Sequence, residues 1–384
     1  MGATNGSPCL PFSISVSPHS GRSYHATRKL SAGTCVLDVA TPYTCTLYKR
    51  FRNEVCAECW KYDGGRRHFL TCREYGEEAG LSFCDEHCRD AWLEREGHEL
   101  IELLKTLEAV RRRTKGKAKA TDPKVPVELT KEAIECAWEK IDKQQERPKA
   151  LRRWHDVQLD DFEADMARYV LVALYHYARE LADIAKTPLQ QAASSAFGAH
   201  WSNFADLQSN EMHLVAKFPE LLENHIKIFQ VLRSRFNPVN GASPVLLRLA
   251  DVVTTPNVRI ALGVDPGNSF GIWEAPVTEE SEGLGFGIYP IPSFFNHREW
   301  PQLNLYYAIT NEACPDCTPN VRKDRDGRRM RFITTRDVDA GDELCISYGH
   351  VEDMTWQQRQ QELKEGWFFE CRCSRCEAEK EAQN

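Results

Sequence analysis

The sequence contains no apolar run near the ~18 residues that crossing a bilayer requires. Its start, Met1-Gly2-Ala3-Thr4-Asn5-Gly6-Ser7, lacks the charged and apolar regions of a signal peptide. Gly6 also breaks the N-myristoylation pattern, which needs Ser or Thr there. An excess of basic residues is missing too. The 49 Lys and Arg against 56 Asp and Glu leave a net charge of −7, which argues against a protein that coats nucleic acid electrostatically. No internal repeat is evident. We expect a soluble intracellular protein with no membrane association and no direct nucleic-acid binding; nucleus and cytoplasm stay open, as does oligomeric state.

Cysteine, by contrast, is abundant. Fifteen in 384 residues, an odd and clustered set, suit zinc sites better than disulfides. Cys56-x2-Cys59 and Cys84-x3-Cys88 form two thiolate pairs, the donor set of a tetrahedral zinc site. The second pair lies between Phe83 and Trp92, as at a helix start. Cys72 and His98, with His68 nearby, leave a further site open. At the end of the chain Cys371, Cys373 and Cys376 offer three thiolates, with Cys314 and Cys317 as candidates for the fourth. Cys9, Cys35, Cys45, Cys136 and Cys345 read as small buried hydrophobes.

The patterning is mixed. Phe12-Ser13-Ile14-Ser15-Val16 alternates with the period of a strand, Thr34–Val39 is rich in β-branched residues, and Ser20-Gly21-Arg22-Ser23 between them is a turn signal. Residues ~128–235 read as helical. There Phe162, Met166, Val170, Leu174, Tyr177, Leu181 and Ile184 form a core stripe. Asp160 and Glu163 resemble a capping box at its start. His176, His200, His213 and His225 are assigned no role. The basic stretch from Arg111 to Lys124 reads as a solvated linker. From ~250 Gly, Pro and short strands return, at Gly283–Pro290, Arg331–Thr335 and Glu343–Tyr348, with a turn at Asp339–Asp342. The expected class is α+β, a β domain split by a zinc module and a helical block.

With these segments in this order, the sequence resembles the SET and MYND-domain family of protein lysine methyltransferases. Cys56-x2-Cys59, Phe83-Cys84-x3-Cys88, Trp92 and His98 look like a MYND zinc finger. Tyr75 and Glu102 stand where the family has ligands of a second finger zinc. Ser20–Ala26 resembles the family's glycine-rich cofactor turn. Asn268–Ile272 and Gly287–Pro290 match segments leading to its Asn-His-Ser-Cys-x-Pro-Asn motif. That motif is split here into Ser293-Phe294-Phe295-Asn296-His297 and Cys317-Thr318-Pro319-Asn320, with residues 298–316 where the family has one Ser. Gly341–Gly349 matches the strand carrying the catalytic tyrosine, and Phe369–Cys376 the post-SET zinc segment. The resemblance implies a β-rich SET domain in two parts, 12–50 and 249–350. It also implies a MYND-like finger over 51–100, a helical insertion over 101–248 and a zinc-binding post-SET segment over 351–384.

The resemblance further implies S-adenosylmethionine as cofactor, held by Gly21, Arg22, Ser23, Tyr24, Asn268, Ser293, Phe295, Asn296, His297, Tyr348 and Phe369. Tyr348 is the implied catalytic residue and a protein with an accessible lysine the implied substrate. Two zincs are expected, at Cys56/Cys59/Cys84/Cys88 and at Cys317/Cys371/Cys373/Cys376; a third is left open. Cys317 is preferred to Cys314 because it heads the Thr-Pro-Asn half of the motif. The alternative is a zinc-containing peptide-binding scaffold with a catalytically decayed SET domain.

Overall fold

The computed structural model describes residues 10–17, 21–66, 68–69, 76–110, 129–183, 200–236, 243–278, 280–297, 319–347, 354–367, 370–371 and 374–382. The chain divides into two compact units, one made of residues 1–40 and 291–384, the other of residues 41–290.

In the first unit, β1 (Phe12–Ser17) and β2 (Gly21–Ala26) form an antiparallel pair with Phe12 opposite Ala26. β2 thus occupies most of the Ser20–Ser23 stretch expected as a turn. The alternation of β1 is real, but only Phe12 reaches the core. Ile14 is 53% and Val16 74% exposed, because among the described residues no layer covers the outer end of this two-stranded ribbon. β3 (Cys35–Val39) is the first strand of a three-stranded sheet. The unit's later strands, whose numbers count the β4–β6 of the second unit, are β7 (Asn296–His297), β8 (Val321–Asp326), β9 (Arg329–Thr334) and β10 (Cys345–Ile346). The three-stranded sheet runs β3-β9-β8, and β10 pairs with β7 in parallel. The core is aromatic: Phe295 stacks on Phe332 at 4.7 Å between ring centroids and meets Tyr24 at 4.9 Å. Each such pair adds about 0.5–1.5 kcal/mol beyond area burial.

The second unit is centred on one helix. Before it come β4 (Thr44–Leu47), α1 (Glu86–Glu96), α2 (His98–Glu108), α3 (Lys131–Gln145) and α4 (Pro148–Trp154). The central helix is α5 (Asp161–Asp183). Then follow α6 (Trp201–Ala205), α7 (Glu211–Lys217), α8 (Glu220–Arg235), α9 (Pro244–Val252) and α10 (Thr255–Asn268). Helix therefore continues past the ~250 position where the composition turns to Gly and Pro. β5 (Ser269–Trp273) and β6 (Gly283–Ile288) close the unit, with β4 and β5 flanking β6.

The capping box at the start of α5 is present in both directions. Asp160 N–H donates to Glu163 Oε2 and Glu163 N–H to Asp160 Oδ1, each at 2.8 Å. The stripe holds only in part. Phe162 is 52% exposed, whereas Glu163 to His176 are buried all round. α5 lies against β4, α2, α8 and α9, so no single face faces water. Ile184 and the basic stretch 111–124 lie outside the described residues.

Two polar ties join α5 to its neighbours. Arg52, buried, reaches both Glu108 of α2 and Asp165 of α5, while Arg168 donates to the Ala79 carbonyl at 2.6 Å and to Glu108 at 3.4 Å. Burial lowers Arg168 to about 9, with Arg52 beside it adding to the shift. At the other end, Tyr175 Oη donates to the Glu96 carbonyl at 2.9 Å and Arg179 to the Arg95 carbonyl at 2.7 Å. These are last-turn carbonyls of α1 that no residue within α1 satisfies.

Candidate functional site

The first candidate site is a cysteine cluster in the second unit. The sulfurs of Cys56, Cys59, Cys84 and Cys88 all lie within 4.8 Å of one another. Cys59 Sγ is 3.7 Å from Cys84 Sγ, which is 3.4 Å from Cys88 Sγ. Four thiolates at ~2.3 Å from one zinc would stand about 3.8 Å apart, so the donor set fits that ion.

Local sequence builds this cluster. The Cys56–Cys59 turn closes with Trp60 N–H on the Cys56 carbonyl at 3.0 Å and puts Trp60 in the left-handed region at φ 60°. A side chain there costs about 1 kcal/mol or more, offset by burial of the indole, which is 5% exposed. Asp85 caps α1 by accepting from Cys88 N–H at 2.7 Å, which sets Cys84 and Cys88 on one turn. Cys59, then backbone N–H groups of Cys59, Cys84 and Glu58, hydrogen-bond Cys56 and outweigh its burial, lowering its thiol to about 5. Cys59 is pushed up by the thiol it faces in Cys56. As thiolates this close together, the four would need a cation between them.

Of the open further site, Cys72 lies outside the described residues and His98 is exposed at the start of α2. Among the described residues no other group of three or more candidate metal ligands converges. Cys371 and Cys376 are buried together against Leu363, between α11 (Trp356–Trp367) and α12 (Ser374–Glu381) of the first unit. Cys317 and Cys373 lie outside the described residues. The lone cysteines need a correction: Cys35 and Cys136 are exposed, Cys45 is half-buried and Cys345 alone is buried, while Cys9 is not described. Cys35 falls on β3 and Cys136 on α3 at positions facing water.

The second candidate site lies in the first unit, where three segments are hydrogen-bonded together. β2 runs beside residues 341–344: Ala26 N–H donates to the Asp342 carbonyl at 2.9 Å and Leu344 N–H to the Tyr24 carbonyl at 2.7 Å. One step further, Cys345 pairs with Asn296 and Ile346 with His297. Asn320 is buried between them, donating to the Glu343 carbonyl and accepting from Cys345 N–H, both at 2.8 Å.

Gly21, Arg22, Ser23 and Tyr24 are thereby brought close in the fold to Ser293, Phe295 and Asn296. Gly21 has φ 66°, and a Cβ there would meet nothing within 4 Å, so backbone at the start of β2 is open to close approach. Arg22 lies over the Phe294 ring at 4.7 Å, and Ser23 Oγ is 3.1 Å from Nε2 of His25. Tyr24 is buried, its hydroxyl donating to the Ile291 carbonyl at 2.9 Å, which ties β2 to the turn carrying Ser293. Phe295 is fully buried with its ring in the core. Asn296 Nδ2 donates to Glu343 Oε1 at 2.9 Å. The His297 side chain, Tyr348 and Phe369 lie outside the described residues. Asn268 belongs to the second unit, where its Nδ2 donates to the carbonyls of Gln208 and Val264. A polar, directional set beside open backbone fits the amino-acid end of S-adenosylmethionine.

Sequence reasoning did not single out Glu343, although it stands within the Gly341–Gly349 segment, nor His176, which is buried with both ring nitrogens partnered. Only the pairing across the fold reveals either.

The family model described as SET domain matches residues 21–349. The chain belongs to the SET-domain family. This SET-domain protein is 26% identical over 398 residues to the potential protein lysine methyltransferase SET6 of Saccharomyces cerevisiae, covering 96% of this chain and 95% of the yeast protein. A SET and MYND domain-containing protein of Dictyostelium discoideum is 35% identical over 109 residues, 28% of this chain and 22% of its own. The histone-lysine N-methyltransferase ASHR2 of Arabidopsis thaliana is 34% identical over 138 residues, 33% of this chain and 30% of its own. Among the described residues no helix is long and apolar enough to cross a membrane.

Proposed function

We propose that this SET-domain protein transfers a methyl group from S-adenosylmethionine to the ε-amine of a lysine in a protein substrate. The observation that carries this reading is the joining of β2, Asn296 and residues 341–346 by main-chain and side-chain hydrogen bonds. It gathers the glycine turn, the Asn-His pair and the strand leading to Tyr348. The alternative of a scaffold with a decayed SET domain is not supported: the match to the SET domain runs from residue 21 to 349.

When bound, the cofactor supplies a methyl group on a sulfonium. Gly21–Tyr24, Ser293, Asn296 and His297 hold its amino-acid and purine ends, Phe295 contributing through its main chain. Phe369 covers the adenine. The substrate lysine must arrive without its proton, since an ammonium has no lone pair; an apolar channel disfavours the charged form. Alignment of the amine with the methyl carbon is worth effective molarities of ~10⁵ M or more. Tyr348 orients the amine through its hydroxyl. The lysine gives up its proton to water before attack.

The finger cysteines hold one structural zinc, and Cys317, Cys371, Cys373 and Cys376 a second that fixes Phe369. The SET domain is split at 12–50 and 249–350 by the finger (51–100) and the helical insertion (101–248), with the post-SET segment over 351–384. Incubating the purified protein with methyl-labelled cofactor and a cell lysate tests the reading. Label on the lysines of particular proteins is expected; label on none, with the cofactor bound, would refute it.

A further inference from the structure

A helix start favours acidic side chains, because its unpaired N–H groups carry partial positive charge. The first turn of α4 has no acidic residue. Arg147 stands at its N-cap and Lys149 in that turn, while Arg152 and Arg153 close the helix. The last pair suits the helix dipole. The first pair opposes it, so helix stability does not account for the row of four cations.

Lys149, Arg152 and Arg153 are three and four residues apart and share one helix face. All three are exposed, as is Arg147. The other side of the helix holds it in place: Trp154 is buried, its ring 6.0 Å from that of Phe229 on α8, and Leu151 is half-buried. Arg235, at the end of α8, donates to the His155 carbonyl just past α4 and brings a fifth positive charge there. Among the described residues Arg147, Lys149, Arg152 and Arg153 form no ion pair. Arg52, Arg95, Arg168 and Arg259 of the same unit each meet a carboxylate. In a chain of net charge −7, α4 thus presents a fixed and uncompensated basic face.

We propose that this face of α4 docks a short acidic segment of a partner protein. Lys149 and Arg153 stand ~6 Å apart along the helix axis, close to the ~6.6 Å between alternate side chains of an extended chain. Carboxylates on every second residue of such a segment therefore meet them in turn, and guanidinium groups accept carboxylates in a bidentate fork. A nucleic acid fits less well. Glu146 and Asp156, both exposed, bracket the four cations in sequence, and exposed Asp160 follows. A duplex, charged along its whole length, would meet carboxylates at both ends of the helix.

The test is fluorescence anisotropy on the full chain with two probes, a labelled hexaglutamate peptide and a labelled short DNA duplex. The parent should bind hexaglutamate, more weakly as salt rises. Arg152→Glu combined with Arg153→Glu should lower that affinity about tenfold, since each exposed ion pair lost is worth up to about fivefold and each reversal adds repulsion. Lys149→Glu should lower it about three- to fivefold. That substitution places a carboxylate in the first turn, where it favours the helix, so its effect cannot come from unfolding α4.

Hexaglutamate that does not bind the parent, or that binds Lys149→Glu as well as the parent, would overturn the proposal. So would a duplex that binds the parent more tightly than hexaglutamate and is lost with the same substitutions, because α4 would then be a nucleic-acid surface. Should the double variant not fold, Lys149→Glu carries the test alone.

Discussion

His176 Nε2 lies 2.8 Å from Glu96 Oε2, both side chains buried, while Nδ1 of the same ring lies 2.6 Å from the Tyr43 carbonyl. A carbonyl only accepts, so Nδ1 carries a proton, and Nε2 and Glu96 hold one more between them. One ring thus joins α5, the last turn of α1 and the residue that leads into β4. Removing the ring leaves Glu96 with Arg95 Nε, at 3.0 Å, and opens a cavity in the interior, a loss that commonly costs about 2–5 kcal/mol. His176→Ala should lower unfolding free energy by about 3 kcal/mol or more, read from the midpoint of a urea transition. A loss below about 1 kcal/mol would mean that water replaces the ring.

The buried Arg52, Arg168, Glu108 and Asp165 network predicts an acid limb in stability. Burial raises the Glu108 carboxyl, but Arg52, Arg168 and Lys49 outweigh it and hold it below its ordinary value. A folded-state value below the unfolded one gives stability that is complete above the unfolded value, ~4.3, and is lost as pH falls through the folded value. Asp165, raised by burial despite Arg52, acts in the opposite sense. Stability measured from pH 6 down to 3 should therefore fall less steeply in Glu108→Gln than in the parent. That variant should also be less stable at pH 7, with two arginines left facing an uncharged amide.

The cysteine cluster predicts a metal stoichiometry. Cys84→Ser removes a sulfur that touches two others in the cluster, at 3.7 and 3.4 Å. The variant should carry one zinc fewer per chain by elemental analysis. Chelation of the parent should release the same equivalent and unfold the Cys56–Glu96 region, seen as faster amide hydrogen exchange there. Equal zinc content in variant and parent would exclude Cys84 as a ligand.

Tyr348→Phe keeps the ring and removes one hydroxyl. If that hydroxyl acts mainly in the transition state, turnover should fall ~10²–10³-fold, the scale of losing one preorganised hydrogen bond. Cofactor affinity, carried by other residues, should change far less. Full methylation of a labelled substrate by the variant would remove Tyr348 from the mechanism. An equal loss of cofactor affinity would make it structural.

Much of this protein was legible before any coordinate. Cys56-x2-Cys59 and Cys84-x3-Cys88 announced one converging set, because a thiolate pair at such spacing is closed by local turn and helix-start geometry. The reciprocal Asp160–Glu163 cap was legible for the same reason: both partners lie within one turn. Strands β3, β6 and β9 followed from β-branched and glycine-punctuated texture. What tertiary structure decided is what depends on neighbours remote in sequence. The stripe gave Met166, Val170 and Leu174 as core, but not the exposure of Phe162 in the first turn or the burial of Glu163 to His176 all round, since enclosure is a property of the surrounding elements. Exposure of Cys35 and Cys136 likewise depends on what lies over β3 and α3. His176 has no motif around it, since its partners come from residues 43 and 96. Glu343 stands in a recognisable segment, yet nothing in that segment says its carboxylate meets Asn296, 47 residues earlier. Local sequence sets turns, caps and short metal-ligand spacings through interactions a few residues long; the orientation of a buried amide or imidazole is set by chain segments that only folding brings together.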